Sequence, residues 1–384
     1  MSDFFGEEKV NLHTIDTPAL ILDEAKMDTN IARMRDKAKA LGVTLRPHLK
    51  TSKCWEVAKR QIWTPEGPAT VSTLKEAEEF AAHGIKDMIY AVGIAPQKLH
   101  RVAALVRQGV DLKIILDNVD SARAVSRFCQ EEKLTLKVMI EIDCDGHRSG
   151  LKPQNPEIVE VAAAIEAPAK LVGVLTHAGG SYDVDTHEAL LIRSRAERDG
   201  ICQAAQMLRN AGYDISIVSV GSTPTALTDE DLTGVTELRA GVYVFFDLFQ
   251  AGVGICKLED IALSLLVTVI GHQLEKGWVI TDGGWMALSR DRGTANQKVD
   301  QGYGLVCDIN GKIIEGLWVS GANQEHGIIS ARNPEGFDPK QFPIGTRLRI
   351  LPNHACPTGA QHPYYYVVNN SLEVKDRWNR FYGW

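Results

Sequence analysis

The sequence predicts an α/β fold, in which an N-terminal (β/α)8 barrel of the TIM type is followed by a C-terminal all-β domain. Its first two thirds alternate short β-branched apolar runs with longer segments of helical spacing, which is typical of a parallel sheet. Eight such runs follow an opening one, and eight parallel strands can close as a barrel. A doubly wound open sheet is the alternative, but the glycine-rich first turn that favours it is missing. From about Leu258 onward, Gly, Asn and Pro turns separate short strands, which indicates the all-β domain.

The barrel strands can be placed from their apolar runs. After the opening run Pro18 to Asp23, the candidate strands lie at 44–50, 69–72, 87–92, 112–117, 135–143, 171–178, 215–222 and 236–243. The first helix is predicted from apolar residues that recur at helical spacing before a stop at Gly42, namely Met27, Ile31, Met34, Ala38 and Leu41.

The all-β domain is predicted from six further runs, at 263–272, 278–282, 304–308, 317–320, 346–351 and 364–368. We therefore expect a barrel over 18–257 and a β-domain over 258–384, with 1–17 packed on the β-domain.

Composition and charge exclude several classes of protein. With 384 residues, of which 44% are hydrophobic and 24% charged, the chain is long and apolar enough to fold as two or three domains. A net charge of −7 gives no broad basic surface for nucleic acid. The longest apolar stretch, Ile261 to Ile270, is too short to span a membrane, and the acidic start Met1 to Lys9 does not resemble a secretory signal. Seven scattered cysteines fit free thiols, so we expect a cytoplasmic protein.

Polar residues lie where the predicted barrel strands end, which is where such barrels carry their chemistry. Lys50 lies at the end of strand one, on the rim of the barrel. A desolvated lysine there would have a depressed pKa and act as a nucleophile or base; the alternative is a surface lysine. Arg148 lies in a glycine-flanked loop after strand five, where it could instead simply pair with Asp145. His177 and Tyr182 follow strand six, and a core histidine is the alternative for His177.

The strongest local signal follows strand seven. There Gly221, Ser222, Thr223 and Thr225 could wrap a phosphate with N–H and hydroxyl donors, although an ordinary helix cap would use the same residue types. Strand eight adds Gly241 and Tyr243 on that side. A lysine, an arginine, a histidine and a phosphate turn together predict a phosphorylated aldehyde cofactor, pyridoxal phosphate, bound to the lysine as a Schiff base.

A second candidate site lies in the β-domain, where His354 and Cys356 are two residues apart. On an extended segment they would share one face and could bind the same metal ion. Imidazole and thiol ligands suit Zn²⁺ far better than Mg²⁺, and two protein ligands would leave positions open for water or substrate. A buried free cysteine is the alternative.

The chain also resembles a known family, the pyridoxal phosphate enzymes of the alanine-racemase-like fold, in their D-serine dehydratase and D-threonine aldolase branch. The resemblance spans nearly the whole sequence. The motifs that carry it are Asp16-Thr-Pro18, Arg46-Pro-His-Leu-Lys-Thr-Ser-Lys53, His147-Arg-Ser-Gly150, Thr176-His-Ala-Gly179 with Tyr182, Gly221-Ser-Thr-Pro-Thr225, Arg239-Ala-Gly-Val-Tyr243, Pro352-Asn-His-Ala-Cys356, Asp282-Gly-Gly-Trp-Met286, Ser289-Arg-Asp-Arg-Gly-Thr294 and Gln324-Glu-His-Gly327.

The resemblance implies roles for these residues. Lys50 would be the Schiff-base lysine and base, and Arg148 would lie near the phenolic oxygen of the cofactor. His177 would pack on the pyridine ring, whereas Tyr182 would contact either the ring nitrogen or the phosphate. The other implied cofactor contacts are His48, Gly221, Ser222, Thr223, Thr225, Gly241 and Tyr243. The resemblance also implies that strand 18–23 joins the β-domain and that the protein is a homodimer.

The implied activity is that of a dehydratase that converts a D-3-hydroxy amino acid, D-threo-3-hydroxyaspartate or D-serine, to a 2-oxo acid and ammonia. His354 and Cys356 would hold the metal, with Zn²⁺ first and Mn²⁺, Co²⁺ or Mg²⁺ as alternatives. Aldolases of the branch have aspartate in place of Cys356, which favours a dehydratase over an aldolase. The first alternative is therefore an aldolase, and the second is a non-catalytic pyridoxal phosphate carrier. Arg290, Arg292 or His326 could bind a substrate β-carboxylate, unless these side chains are only solvated.

Overall fold

The structure is a computed structural model, and it describes residues 10–384 of the chain. Contacts within the chain divide the residues into two compact units. We call residues 32–241 with 381–384 the barrel unit, and the described residues up to Ile31 with Val242–Arg380 the sheet unit. Of the segment 1–17 that was expected on the β-domain, residues 1–9 lie outside the described residues. No helix within residues 10–384 combines the length and apolar character that crossing a bilayer requires.

The predicted barrel is confirmed. In chain order the elements are β1 (Ala19–Asp23), α1 (Glu24–Ala40), β2 (Thr44–Leu45), α2 (Trp55–Gln61), β3 (Ala69–Val71), α3 (Leu74–Ala82), β4 (Asp87–Gly93), α4 (Leu99–Arg107), β5 (Asp111–Leu116), α5 (Val119–Glu132), β6 (Lys137–Ile142), α6 (Glu157–Ala163), β7 (Lys170–Thr176), α7 (His187–Asn210), β8 (Ile217–Val220), α8 (Thr223–Thr228) and β9 (Glu237–Leu238). Eight parallel strands form one sheet in the order β2-β9-β8-β7-β6-β5-β4-β3. A bridge between His48 and Thr70 joins its two edges.

Local sequence sets where the barrel helices begin. Thr73, Asn118 and Thr186 precede α3, α5 and α7, and each side chain accepts a backbone N–H of the first turn. The β-branched and long apolar residues of the strands face inward or toward the helices, so they form a buried cluster that includes Ile89, Ile115, Met139, Val172 and Leu175.

The first barrel strand is shorter than predicted. It was expected to run over 44–50, but β2 ends at Leu45. Pro47 has no N–H to donate to a strand ladder, and the N–H of Lys53 turns back to the carbonyl of Leu49 at 2.9 Å. Lys50 therefore lies on a tight turn beyond the strand rather than on the strand itself.

The sheet unit confirms the predicted all-β domain. Its further elements are α9 (Leu248–Val253), β10 (Leu263–Gln273), β11 (Trp278–Thr281), α10 (Trp285–Leu288), β12 (Gly304–Cys307), β13 (Ile313–Ala322), β14 (Gly327–Ala331), β15 (Arg347–Pro352), α11 (Ala355–Gly359), β16 (Tyr364–Val368) and β17 (Asp376–Asn379). The strand order is β11-β14-β13-β12-β15-β10-β1-β16-β17, and an extra β11–β10 pairing closes six of these strands into a ring. Strands β14 and β17 were missed, because one is short and begins with glycine and the other is mostly polar.

Residues 242–257 group with the sheet unit, although the sequence was expected to divide after residue 257. Two contacts tie them there: the carbonyl of Phe245 accepts the N–H of Ala262 at 2.8 Å, and the Phe245 ring meets Tyr365 edge-on. The opening strand β1 pairs antiparallel with β10 and parallel with β16.

A buried ion-pair network lies near the amino ends of the barrel strands. The guanidinium of Arg46 donates to Glu237 at 2.8 Å and to Asp87 at 2.7 Å, and Lys113 reaches Asp87 at 2.7 Å. Arg46, Glu237 and Lys113 are all buried. Each buried charge has a partner, so the network can stabilise the closed barrel only as long as it stays complete.

We therefore expect Arg46→Leu to lower the free energy of unfolding by about 3–5 kcal/mol, because it leaves Glu237 buried without its cation. Denaturant titration would measure the change. Lys86→Ala, which removes an exposed pair with Glu66, is the control and should cost less than about 1 kcal/mol. Equal effects of the two substitutions would contradict the prediction.

Candidate active site

The hydroxyl-rich turn after β8 lies at the carboxyl edge of the barrel. Ser222 caps α8 by accepting the N–H of Thr225 at 3.2 Å, and the N–H of Ser222 returns to the Thr225 hydroxyl at 3.3 Å. The Ser222 hydroxyl also lies 2.9 Å from that of Ser181. The Thr223 hydroxyl is buried and has no hydrogen-bond partner among the described residues. The turn is thus a helix cap, as the alternative prediction expected, and the Thr223 hydroxyl is a buried donor that remains available to a ligand.

A buried carboxylate that the sequence analysis did not predict accepts hydrogen bonds from this turn. Glu197 on α7 accepts the N–H of Gly221 at 2.8 Å, the N–H of Ala178 at 3.2 Å and the hydroxyl of Thr225 at 2.7 Å. Burial raises the pKa of Glu197, while these donors and Arg239 act in the opposite direction. A glutamate on the buried face of an amphipathic helix was the signal that could have found it.

His177 is linked to the same turn. Its Nδ1–H donates to the carbonyl of Gly221 at 2.7 Å, and its ring centroid is 6.1 Å from that of Tyr182. Burial, followed by the charge of Arg148, lowers the pKa of His177 to about 3. The imidazole is therefore neutral at physiological pH, which suits packing against an aromatic ring better than an ionised side chain would.

Gly221 could not be another residue, because a Cβ there would lie 1.8 Å from the carbonyl oxygen of Arg239. Arg239 is buried and donates to the Ser219 hydroxyl at 2.5 Å and to the carbonyl of Thr176. Burial lowers its pKa to about 10, so the guanidinium remains charged at neutral pH. Arg239 thus joins β7 and β8 directly beneath the turn.

The loop after β6 places Arg148 on the surface. Its guanidinium is 3.7 Å from a carboxylate oxygen of Glu141, and not paired with Asp145 as the alternative proposed. Asp145 instead accepts the N–H of Gly180 at 2.7 Å, which ties this loop to the one after β7. Arg148 is half exposed and weakly held, so its side chain is available to a ligand.

Lys50 belongs to the same edge of the barrel. The N–H of His48 donates to the carbonyl of Ala240 at 2.8 Å, and the N–H of Arg239 donates to the carbonyl of Val220 at 2.7 Å. The turn that carries Lys50 and the turn at Gly221 are therefore separated only by the strand β9. Lys50 is exposed, as the alternative of a surface lysine expected, so the chain by itself does not desolvate it.

Two details next to Lys50 also suit a bound group. The Nδ1 atom of His48 is buried and has no hydrogen-bond partner within residues 10–384. Gly241 lies against this segment, and a Cβ there would come within 3.0 Å of the His48 carbonyl oxygen. Tyr243, the other residue expected on that side, is fully buried and belongs to the sheet unit.

The sheet unit carries the His354 and Cys356 pair. The two side chains are hydrogen-bonded to each other, but they do not lie on one extended segment as expected. His354 caps α11 and Cys356 is in its first turn, because the carboxylate of Asp247 accepts the N–H of Ala355 at 2.9 Å and starts the helix there.

Asp291, which the sequence reading also missed, orients this histidine. A carboxylate oxygen of Asp291 accepts Nδ1–H of His354 at 2.8 Å, which leaves Nε2 as the ring nitrogen that could bind a metal ion. The described residues contain no group of three or more His, Cys, Asp or Glu side chains that could hold a metal ion.

Three residues were predicted to bind a substrate carboxylate, and two of them are next to Asp291 in the sequence. Arg292 pairs with Asp300 at 2.7 Å, and its buried Nε has no partner in the described part of the chain. Arg290 is exposed and lies over the ring of Trp285. His326 is exposed on the turn between β13 and β14.

Comparison with known families gives two matches along the chain. Residues 22–248 match the family described as the N-terminal domain of alanine racemase, and residues 262–368 match one described as a putative serine dehydratase domain.

Two relatives match over nearly the full length. A D-threo-3-hydroxyaspartate dehydratase from Delftia sp. (strain HT23) is 52% identical over 377 residues, covering 97% of this chain and 99% of that protein. A D-serine dehydratase from Dictyostelium discoideum is 30% identical over 391 residues, covering 96% of this chain and 97% of that protein.

Solved structures agree with these matches. The structure of the Delftia dehydratase has a TM-score of 0.94 at 52% identity, and the alignment covers 97% of this chain and 100% of that one. A D-threo-3-hydroxyaspartate dehydratase variant with one cysteine replaced by alanine, described as metal-free, also has a TM-score of 0.94, at 51% identity over 98% of this chain and all of that one.

One buried carboxyl beside the turn gives a pH prediction. Asp229 follows α8, is buried and has one carboxylate oxygen without a partner in residues 10–384. Burial, and then the charge of Glu197, raises its pKa from 3.8 to about 8, against the opposing charges of Lys37 and Arg198 and with a small further increase from Asp231. Between pH 3.8 and about pH 8, Asp229 is protonated in the folded chain but ionised in the unfolded chain. The free energy of unfolding therefore falls as the pH rises through this range.

We expect Asp229→Asn to flatten this dependence, because asparagine cannot ionise. The free energy of unfolding of the unsubstituted chain should fall between pH 5 and pH 8 by up to about 1.4 kcal/mol per pH unit more than that of the variant. Denaturant titrations at several pH values would measure the difference. Asp231→Asn is the control, because Asp231 is exposed and its pKa is already lowered. Identical slopes for the unsubstituted chain and Asp229→Asn would contradict the prediction.

Proposed function

Because the chain belongs to the alanine-racemase-like family whose second domain is a serine dehydratase domain, we propose that it is a D-amino acid dehydratase. Its reaction would convert a D-3-hydroxy amino acid to a 2-oxo acid and ammonia. The names of the two relatives described above support this class of lyase. The observation that carries the choice of dehydration over aldol cleavage is Cys356 beside His354, because aldolases of the resembled branch have aspartate at that position. A metal ion on this pair would assist the loss of a β-hydroxyl as a Lewis acid.

The barrel residues fit pyridoxal phosphate. The unpartnered Thr223 hydroxyl suits a phosphate oxygen, and the unpartnered Nδ1 of His48 suits a polar atom of a bound ligand. Lys50, on the same edge, would form the covalent bond to the aldehyde carbon, and Ser222, Thr223 and Thr225 would hold the phosphate end. Neutral His177 would pack on the ring, with Tyr182 and Arg148 at its polar atoms. When bound, the cofactor supplies an electron sink for the charge left at Cα.

The chain's own groups would then move the protons and orient the substrate. The Nζ atom of Lys50, displaced by the substrate amine, would take the α-proton. His177 cannot compete for that proton, because its pKa of about 3 makes it a poor base. The hydrogen bond from His177 to Gly221 fixes ring and turn together, so that a ligand held at the phosphate end meets the imidazole in one geometry.

His354 and Cys356 also fit a divalent cation. The donor set of one imidazole nitrogen and one thiolate suits Zn²⁺ better than Mn²⁺, Co²⁺ or Mg²⁺. Asp291 would keep Nε2 of His354 aimed at the ion. The cation would supply Lewis acidity toward the β-hydroxyl, and its remaining positions would be open to water or substrate.

For the substrate we propose D-threo-3-hydroxyaspartate first and D-serine second. Arg290 and Arg292 flank Asp291, so either guanidinium could meet a β-carboxylate near the cation ligands. Serine has no such group and would leave these arginines unused. We also propose a homodimer from the family resemblance, which sedimentation of the purified protein would test.

A product assay tests the proposed reaction. The holoenzyme is incubated separately with D-serine, D-threonine and each of the four 3-hydroxyaspartate isomers. It should release 2-oxo acid and ammonia in equal amounts from D-threo-3-hydroxyaspartate and from D-serine. A retro-aldol lyase would instead release glycine and an aldehyde from D-threonine. Aldehyde without ammonia would overturn the proposal.

Two substitutions separate the two sites. Lys50→Ala should abolish the visible absorbance of the bound cofactor, because no amine remains to form the covalent bond. Cys356→Ala should keep that absorbance and lose turnover, because the cation loses one of its two ligands. Full turnover of Cys356→Ala in the presence of a chelator would remove the metal from the mechanism.

Asp291→Asn tests the orienting role of this carboxylate. We expect Zn²⁺ affinity to fall about 10–100-fold, because the amide holds Nδ1–H of His354 less strongly than a carboxylate does. Calorimetric titration with Zn²⁺ would measure it. Asp300→Asn, which alters a carboxylate paired with Arg292 instead, is the matched control and should keep the affinity.

A further inference from the structure

We propose that residues 381–384 form a latch that positions Lys50. The proposal rests on the function proposed above, in which Lys50 bonds to the cofactor aldehyde. These four residues belong to the barrel unit, although the residues before them belong to the sheet unit. They contact the turn 49–53 and the helix that follows β3, and no part of the proposed chemistry uses them directly.

The turn that carries Lys50 is held at an unusual backbone conformation. The N–H of Lys53 closes the turn on the carbonyl of Leu49 at 2.9 Å, and Leu49, Thr51 and Ser52 are buried. Lys53 has a φ of +44°, a left-handed conformation that a non-glycine residue adopts only at a cost. Such a conformation persists only where the surrounding contacts impose it, so the groups that hold Lys53 also decide where Lys50 lies.

Residues 381–384 supply several of those contacts. The N–H of Phe381 donates to the carbonyl of Lys53 at 2.6 Å, and the Lys53 ammonium lies 5.9 Å from the ring centroid of Trp384. The same ammonium pairs with Glu76, a buried carboxylate, at 3.2 Å. Both the backbone and the side chain of Lys53 are therefore held from outside the turn.

The latch is itself fixed to the barrel. The Phe381 ring meets Phe80 edge-on at 5.1 Å and lies 5.8 Å from the ring of His83, which stacks on Trp55. Trp55 begins α2, directly after the turn. At the far end of the latch, Arg101 donates to the carbonyl of Trp384 at 3.0 Å. The latch thus contacts α3 and α4 as well as Lys53, and it is linked to α2 through His83.

This arrangement matters because Lys50 is exposed while both its neighbours are buried. Its Nζ atom must meet the aldehyde carbon and, after displacement, the α-proton, and both reactions depend steeply on position. The conformation of the turn sets the Cα position of Lys50. A substitution or truncation that loosens the turn should therefore slow covalent bond formation without lowering the affinity for the phosphate end of the cofactor.

Graded shortening tests the latch. A chain that ends at Arg380 loses all four residues, whereas one that ends at Tyr382 keeps Phe381 and its bond to Lys53. Imine formation between apoenzyme and pyridoxal phosphate is followed by absorbance, and affinity for pyridoxamine phosphate, which cannot form the imine, reports the phosphate end alone. Phe381→Ala, which keeps the backbone bond, and Phe381→Leu, which also keeps an apolar side chain, complete the set.

We expect imine formation to slow about 10-fold in the chain that ends at Arg380. It should slow only slightly in the chain that ends at Tyr382, which loses the Trp384 contacts but keeps the bond from Phe381 to Lys53. Phe381→Ala should lie between them, and Phe381→Leu should restore most of its loss. Pyridoxamine phosphate affinity should stay unchanged throughout. An unchanged imine rate without residues 381–384 overturns the latch, as does an equal loss of pyridoxamine phosphate affinity, which would indicate general damage to the barrel.

The full-length chain and Lys50→Ala separate this outcome from failure of the proposed function. If Lys50→Ala formed the same imine absorbance as the full chain, Lys50 would not be the residue that bonds to the cofactor aldehyde. The latch proposal would then also be wrong. If the absorbance depends on Lys50 but not on residues 381–384, only the latch is wrong.

Discussion

The common direction of eight parallel strands is the constraint on which the candidate site depends. Because all eight strands run the same way, segments that follow β2, β6, β7 and β8 meet at one edge although they are far apart in the sequence. The bridge between His48 and Thr70 closes the sheet beside Lys50 and fixes where that turn begins. The buried pairs of Arg46 support the same strands from their other ends. Without this closed parallel sheet, the lysine, the imidazole and the hydroxyl turn would have no shared location.

Glycine 221 shows how closely this edge is packed. Its N–H donates a hydrogen bond to the Glu197 carboxylate, and its carbonyl accepts one from the His177 imidazole. One residue therefore links these two side chains. The sequence reading assigned this glycine to phosphate binding. The structure gives a further reason for it, because any side chain would collide with the Arg239 carbonyl. The identity of residue 221 is therefore set by packing before any ligand is considered.

The sequence could predict the parts of the molecule that depend on local pattern. Eight barrel strands follow from apolar periodicity, and the strand-end rule then directs attention to Lys50, Arg148, His177 and the turn at Gly221. Glu197 and Asp291 could not be placed in this way, because their partners are set by the fold: Asp291 lies 63 residues before His354. The extended geometry expected for His354 and Cys356 was wrong, because Asp247, which starts α11, is more than a hundred residues away from that helix.

The position of β1 has a consequence for the order in which the chain can fold. This strand lies near residue 20, yet its neighbours in the sheet are β10 and β16, near residues 265 and 367. During synthesis the ribosome would deliver every strand of the barrel before either neighbour of β1 emerged. Contacts that span so much of the chain form slowly, so β1 must wait with its edges unpaired while the barrel assembles.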